Sequence, residues 1–343
     1  MRTAIILFNL GGPDNLDAVQ PFLFNLFYDP AIIALPKPLR WLVARLISGR
    51  RAPVARDIYQ HMGGGSPILP NTEVQAAALE AALGPDFKCF IVMRYWQPRA
   101  DDQVLAVRDW SPDRIVLLPL YPQFSSTTSA SSVKEWAEAA QRVGLSQPVS
   151  TLCCYPRQPG FVAAVAERVR AGLAQLPPGL PAPRVLFSAH GLPKVTVERG
   201  DPYQWQVERS VAAIVEALGM PALDYTLCYQ SRVGPMKWLG PSTDDEVRRA
   251  GRDRVPLVIA PVAFVSEHSE TLVELDIEYR HLAEAEGVPA YIRVPTVDAD
   301  PAFIAGLATE IRRMVDSGVS LCSAESDRIC PKPFGLCAFE RIA

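Results

Sequence analysis

The chain has 343 residues, 49% of them hydrophobic and 21% charged, with a formal net charge of −3. That balance describes a globular protein of about two domain-sized units, and the absence of a basic tract excludes a nucleic-acid partner. No apolar run nears the roughly 18 residues that span a bilayer, and Met1-Arg2-Thr3 leads directly into a strand without a signal-peptide core, so a cytoplasmic protein acting on small molecules is expected.

Apolar, β-branched runs predict strands near 3–9, 88–95, 113–120, 149–155, 184–190, 225–231, 255–264 and 290–296. Helical periodicity is clearest at 70–83, 128–143, 159–176, 202–218, 268–286 and 301–317. Such alternation predicts an α/β fold with parallel sheets covered on both faces. Asn9-Leu10-Gly11-Gly12-Pro13 lacks the third glycine of a dinucleotide fingerprint, and Gly63-Gly64-Gly65-Ser66-Pro67 lacks the Gly-Lys-Ser/Thr ending of a P-loop. Both read as tight turns instead. The insertion at about 13–70 contains Phe22-Leu23-Phe24-Asn25-Leu26-Phe27 and an expected helix with Leu39, Leu42, Val43 and Leu46 on one face. Lys37, Arg40, Arg45, Arg50 and Arg51 surround that face, which suits an anionic membrane, an apolar ligand or a buried flap. The proline-rich stretch 177–183 divides the strands four and four. The expected organisation is an N-terminal half at 1–177, a C-terminal half at 184–318 and a cysteine-bearing tail at 319–343. Two doubly wound halves with four-stranded parallel sheets would face each other across a cleft.

His190 ends the apolar strand Leu186-Phe187-Ser188-Ala189 and precedes Gly191-Leu192-Pro193. Strand carboxyl ends are where an open parallel sheet forms its ligand crevice. Ser266-Glu267-His268-Ser269-Glu270 opens a helix in which Glu270, Glu274 and Glu278 recur at i, i+4 spacing. Its first turn would sit at the cleft and its last in solvent, a ladder able to bring a cation in or carry protons out. His268-x-Glu270 matches half of a zinc deaminase signature, but no Pro-Cys-x-x-Cys follows. A histidine facing a carboxylate suits proton removal and divalent-metal handling. Seven cysteines in a cytoplasmic chain argue against a disulfide framework. Cys322, Cys330 and Cys337, with a fourth thiol from Cys153-Cys154, suit a 2Fe-2S cluster or a structural zinc, although the spacing matches neither standard fingerprint. Cys89 and Cys228 lie in apolar strands and read as core.

Taken together, the blocks resemble the ferrochelatase family, which inserts ferrous iron into a porphyrin to make haem. They are Asn9-Leu10-Gly11-Gly12-Pro13, Gly63-Gly64-Gly65-Ser66-Pro67-Ile68, Met93-Arg94-Tyr95, Leu120-Tyr121-Pro122-Gln123-Phe124-Ser125, Phe187 to Pro193, Arg199-Gly200-Asp201-Pro202-Tyr203, Tyr229 to Pro241 and Ala263 to Leu272. The resemblance implies two Rossmann-like halves holding protoporphyrin IX between them under an apolar lip, the insertion at about 13–70. It implies that His190 and Glu270 are the catalytic pair and meet the substrate iron, that Glu274 and Glu278 continue an acidic path, and that Leu10, Arg94, Tyr95, Ser125 and Trp238 line the porphyrin pocket. It also implies a tail 2Fe-2S cluster of the type found in cluster-bearing bacterial relatives, held by Cys154 (or Cys153), Cys322, Cys330 and Cys337.

Two departures stand out. Leu10 occupies a place where relatives carry methionine or tyrosine, and leucine cannot ligate iron. The segment Gln123 to Thr127, which supplies a cluster cysteine in animal enzymes, carries serine here. A coproporphyrin or cobalt chelatase and a non-catalytic porphyrin carrier remain as alternatives, as do a monomer or homodimer and peripheral membrane contact through the lip.

Overall fold

The computed structural model describes residues 1–232 and 236–341, so Val233, Gly234 and Pro235 of the Tyr229 to Pro241 block lie outside the described residues. Strand β1 (Thr3–Asn9) is buried along its whole length and takes β2 (Phe87–Met93) and β3 (Arg114–Pro119) on its two sides in parallel register. β4 (Val149–Leu152) follows β3. In the second sheet β5 (Arg184–His190) lies between β6 (Asp224–Gln230) and β7 (Leu257–Pro261), and β8 (Tyr291–Arg293) extends β7. Alternation along β1 explains its burial on both faces: Ile5 and Leu7 enter one core, and Ala4, Ile6 and Phe8 enter another.

All eight expected strands form, and a ninth joins them. β9 (Leu321–Cys322) pairs with β4, so the first sheet has five strands, in the order β2-β1-β3-β4-β9, where four were expected. Two residues are too few to leave a periodic signal. The second sheet has four strands, in the order β6-β5-β7-β8.

The helices are α1 (Val19–Tyr28), α2 (Lys37–Gln60), α3 (Ile68–Leu83), α4 (Ala100–Trp110), α5 (Ser129–Arg142), α6 (Pro159–Ala174), α7 (Lys194–Glu198), α8 (Tyr203–Leu218), α9 (Thr243–Asp253), α10 (Tyr279–Ala285), α11 (Pro301–Ser317) and α12 (Ala338–Arg341). The expected helix at 268–286 begins instead as a π-helix, Glu270–Glu278, and becomes α-helical only at α10.

One hydrophobic core draws on both sheets, with Ile5 and Leu118 from the first and Phe187 and Val258 from the second. Helix α11 crosses back to pack on α3 and α6, and Arg114 donates to the carbonyls of Met314 and Val315 near its end. The lip is α1 packed on α2. Leu39, Trp41, Leu42 and Leu46 stand about half exposed on α2, while Arg40 is buried and donates to the Leu35 carbonyl at 2.8 Å.

The α6–α11 contact depends on Gly160, where an added Cβ would lie 2.1 Å from the Ala302 carbonyl oxygen. Backbone cannot swing aside as a side chain can, so Gly160→Ala is expected to destabilise by about 1–3 kcal/mol. The check is the urea midpoint at unchanged m-value; a parental midpoint would show that the two helices can separate at little cost.

Candidate active site

The site collects at the carboxyl ends of β5 and β6 and at the start of the π-helix. Gly191 donates its N–H to the Gln230 carbonyl at 2.9 Å, tying the two strand ends together. The Tyr203 hydroxyl donates to the His190 carbonyl at 3.0 Å and holds the histidine backbone from the α8 side. His190 Nδ1 then lies 2.8 Å from Glu270 Oε2. With 39% of the His190 side chain and 20% of the Glu270 side chain exposed, the pair opens on the cleft without being free in solvent.

Beside the pair, Ser231 sits in the left-handed region at φ 60°, uncommon for a residue with a Cβ. That conformation points its N–H at Glu274 Oε1, 2.8 Å away. Its hydroxyl is 2.9 Å from Glu270 Oε2 and also bonds Glu274 Oε2. Gln230 Nε2 adds bonds to the Glu270 carbonyl and to Glu274 Oε2, each at 3.1 Å. One hydroxyl proton cannot fully serve two carboxylate oxygens, which leaves room for a further proton on the group.

The electrostatics say where that proton sits. Burial raises the Glu270 carboxyl, but the charge and hydrogen bond of His190, with help from His268 and Ser231, outweigh it and bring it down to about 2. Burial and the adjacent Glu270 charge push Glu274 up to about 7. Burial lowers His190, yet Glu270 lifts it above the ordinary histidine value. The shifts favour an imidazolium beside the Glu270 carboxylate and leave Glu274 its proton up to about 7. His268 is buried 4.0 Å from Glu270 Oε1, with Nδ1 on the Ser266 carbonyl and its ring against Phe264. Burial lowers its proton affinity, so it stays neutral.

Other expected residues fall around this centre in different ways. Leu10 and Tyr95 belong to the lip cluster with Val19, Phe22 and Tyr59. Tyr95 hydroxyl and Arg94 guanidinium both donate to Asp29 at 2.8 Å, and Arg94 also meets Glu135 and Ser131. Their polar groups are thus committed to holding the lip. Trp238 bridges Pro193, and its indole N–H is buried without a partner. Ser125 turns away, donating to the buried Asp201 at 3.0 Å. Glu278 is exposed, and among the described residues no hydrogen bond joins it to Glu274. Ser231, Gln230, Tyr203 and Tyr279 were not singled out from sequence. The signal for the first two was their place at a strand end.

The four tail-site thiols share one buried nest. Cys154 touches Cys153 at 3.5 Å and lies close enough to Cys337 and Cys330 to feel their charge, and Cys322 feels Cys154. Gln206 Nε2 donates to Cys330 Sγ at 3.2 Å. The hydrogen bond from Cys330 holds Cys337 down to about 6, making it the thiolate of the pair. Phe124, Leu321 and Ala338 wall the nest from water, and all seven cysteines are free thiols. Among the described residues, no three His, Cys, Asp or Glu side chains form a group that could hold a metal ion. The expected ligands therefore come together without forming a ready metal site. In type and burial they suit a thiolate-bound group, which calls for Cys ligands shielded from solvent.

A family model described as Ferrochelatase matches residues 2–315. A ferrochelatase of Pelagibacter ubique is 47% identical over 342 residues, covering 98% of each chain. One of Caulobacter vibrioides is 50% identical, covering 98% of this chain and 97% of its own. One of Wolbachia from Drosophila simulans is 52% identical over 312 residues, covering 90% and 98%. Among solved structures, SirB from Bacillus subtilis with Fe3+ superposes at TM-score 0.57 with 14% identity, covering 92% of this chain and 98% of that one. The sirohydrochlorin chelatase SirB of subspecies spizizenii with cobalt gives 0.54 with 13% identity, covering 92% and 97%. Identities this low speak for the fold alone: an α/β chelatase architecture of two parallel sheets.

Because folding holds the Glu274 proton more tightly than the unfolded chain does, stability falls as pH rises from the ordinary carboxylate range through about 7. Glu274→Gln removes that dependence, so the melting temperature of the variant relative to the parent should rise between pH 5 and pH 8. Parallel calorimetric scans test it, and an offset equal at both pH values would place no buried proton on Glu274.

Proposed function

The chain belongs to the ferrochelatase family and is an enzyme of haem biosynthesis that inserts iron into a porphyrin, and we propose that His190 and Glu270 carry the insertion, with protoporphyrin IX as the ring. The observation that carries this is the 2.8 Å contact between His190 Nδ1 and Glu270 Oε2 at the mouth of the cleft. Placing Fe2+ in a neutral porphyrin expels two pyrrole protons. A divalent cation arriving at the Glu270 carboxylate replaces the charge that keeps the proton on His190. The imidazole then deprotonates and is free to take a proton from the ring. Glu274, which carries a proton of its own, passes one on as it takes up what the pair releases, and Glu278 would lie at the solvent end of an acidic path that brings the cation in. Leu10 and Trp238 would face the macrocycle, with Arg94, Tyr95 and Ser125 supporting the walls through Asp29 and Asp201.

The half-exposed apolar residues of α2 favour protoporphyrin over the more carboxylated coproporphyrin and would meet a membrane surface at its edge. No described helix is long and apolar enough to cross one. For the tail, Cys154, Cys322, Cys330 and Cys337 would hold a 2Fe-2S cluster, supported by their burial, with Cys153 as the alternative to Cys154. When bound, such a cluster supplies one-electron chemistry and a rigid cross-link.

Anaerobic iron insertion into protoporphyrin IX and coproporphyrin III, run in parallel, tests the activity. His190→Ala and Glu270→Gln should each lower kcat by about 100-fold or more while porphyrin still binds, as followed by fluorescence. Insertion untouched in both variants would remove the pair from the chemistry, and a preference for coproporphyrin would reassign the ring. Protein purified anaerobically should show thiolate-to-iron absorption bands that Cys337→Ser abolishes; colourless protein with one zinc would give the nest a different metal.

A further inference from the structure

We propose that protons released at the His190–Glu270 pair leave the cleft through Ser231, Glu274, Tyr279 and Asp244, a route that departs from the helix face carrying Glu278. The inference rests on His190 and Glu270 being the working pair.

The contacts are continuous. Glu270 Oε2 lies 2.8 Å from His190 Nδ1 and 2.9 Å from Ser231 Oγ, which also bonds Glu274 Oε2. Glu274 Oε1 is 3.3 Å from the Tyr279 hydroxyl, and that hydroxyl is 3.3 Å from Asp244 Oδ2. Tyr279 is 6% exposed, whereas the Asp244 side chain is 40% exposed, so the last step crosses from protein to water. Arg232 stands 4.0 Å from Asp244 at this exit.

Helix type decides the direction. In the π-helix the Tyr279 N–H bonds the Glu274 carbonyl, five residues back, so the wider turn brings residues five apart toward one face. In an α-helix, at about 100° per residue, Tyr279 would stand about 140° around the axis from Glu274. The wide turn therefore brings the phenol onto the carboxyl. Glu278, where an α-helical ladder would lead, is exposed.

Insertion of Fe2+ into the neutral ring releases two protons and transfers no electrons. Each proton moves by concerted hops. Ser231 passes its hydroxyl proton to Glu274 as it takes one from the pair. Glu274 gives a proton to the Tyr279 oxygen as the phenolic proton passes to Asp244, which releases it to water. Burial and the neighbouring carboxylates hold the Tyr279 phenol far above its usual range, so it works as a neutral relay and never as a phenolate.

The test is steady-state anaerobic iron insertion with Tyr279→Phe, Asp244→Asn and Glu270→Gln. Loss of one relay oxygen should lower kcat about tenfold at unchanged KM for porphyrin and iron. It should also enlarge the solvent deuterium isotope effect, and rising concentrations of the weakly coordinating buffer MES should restore part of the rate. Asp244→Asn, at the surface, keeps the test open if Tyr279→Phe perturbs the fold. Parental kcat in both relay variants beside an inactive Glu270→Gln would overturn the route and leave the pair standing, as would a rate loss in Glu278→Gln alone. An active Glu270→Gln would overturn both.

Discussion

Two carboxyl groups, Glu270 and Glu274, are buried side by side with one serine hydroxyl between them, and much of the surrounding architecture makes that arrangement tolerable. An unpaired buried charge costs several kcal/mol. The imidazolium of His190 meets one carboxylate and a retained proton neutralises the other. Ser231 accepts a left-handed backbone, a cost on the order of 1–3 kcal/mol, so that its N–H and hydroxyl both reach the pair. Every one of these groups comes from the end of β5, the end of β6 or the first turns of the π-helix. The parallel second sheet is thus the frame that brings them into register.

Sequence and structure agree where chemistry follows regular periodicity. His190 was legible because a histidine closed an apolar strand, and Glu270 because it opened the following acidic helix. The contact from the Tyr279 hydroxyl to Glu274 was not legible, because i, i+4 spacing presumes an α-helix and the segment is a π-helix. Arg94 and Tyr95 carry the residue types of a ligand contact, but their partner Asp29 lies far away in sequence, on the lip, and no local pattern couples the three. Ser231 lay inside a quoted block and went unremarked, because a serine announces chemistry only once its neighbours are known. The cysteines were grouped by composition, while their approach to one another needed β9 to bring Cys322 beside β4.

The thiol nest and the active site also share a support. Gln206 on α8 bonds Cys330 through its amide nitrogen and the Phe124 N–H through its oxygen. Trp205 lies against Phe334 of the tail. Three residues earlier on the same helix, Tyr203 holds the His190 carbonyl. The first turn of α8 is therefore loaded from one side by the tail and from the other by the histidine strand, and the placement of His190 depends on both.

The tail has a mechanical consequence as well. It donates β9 to the first sheet and then reaches across to Gly200, whose carbonyl accepts from the Leu336 N–H at 3.1 Å. Asn9 meets Ser266 across the same seam at 3.4 Å, and Gln123 meets the Val262 carbonyl at 3.0 Å. Three such ties pin the two sheets to each other along the seam. The lip is tied on differently: α1 and α2 hold to the rest through the contacts of Asp29 with Arg94 and Tyr95 as well as by apolar packing, and the apolar outer face of α2 is turned to the surroundings.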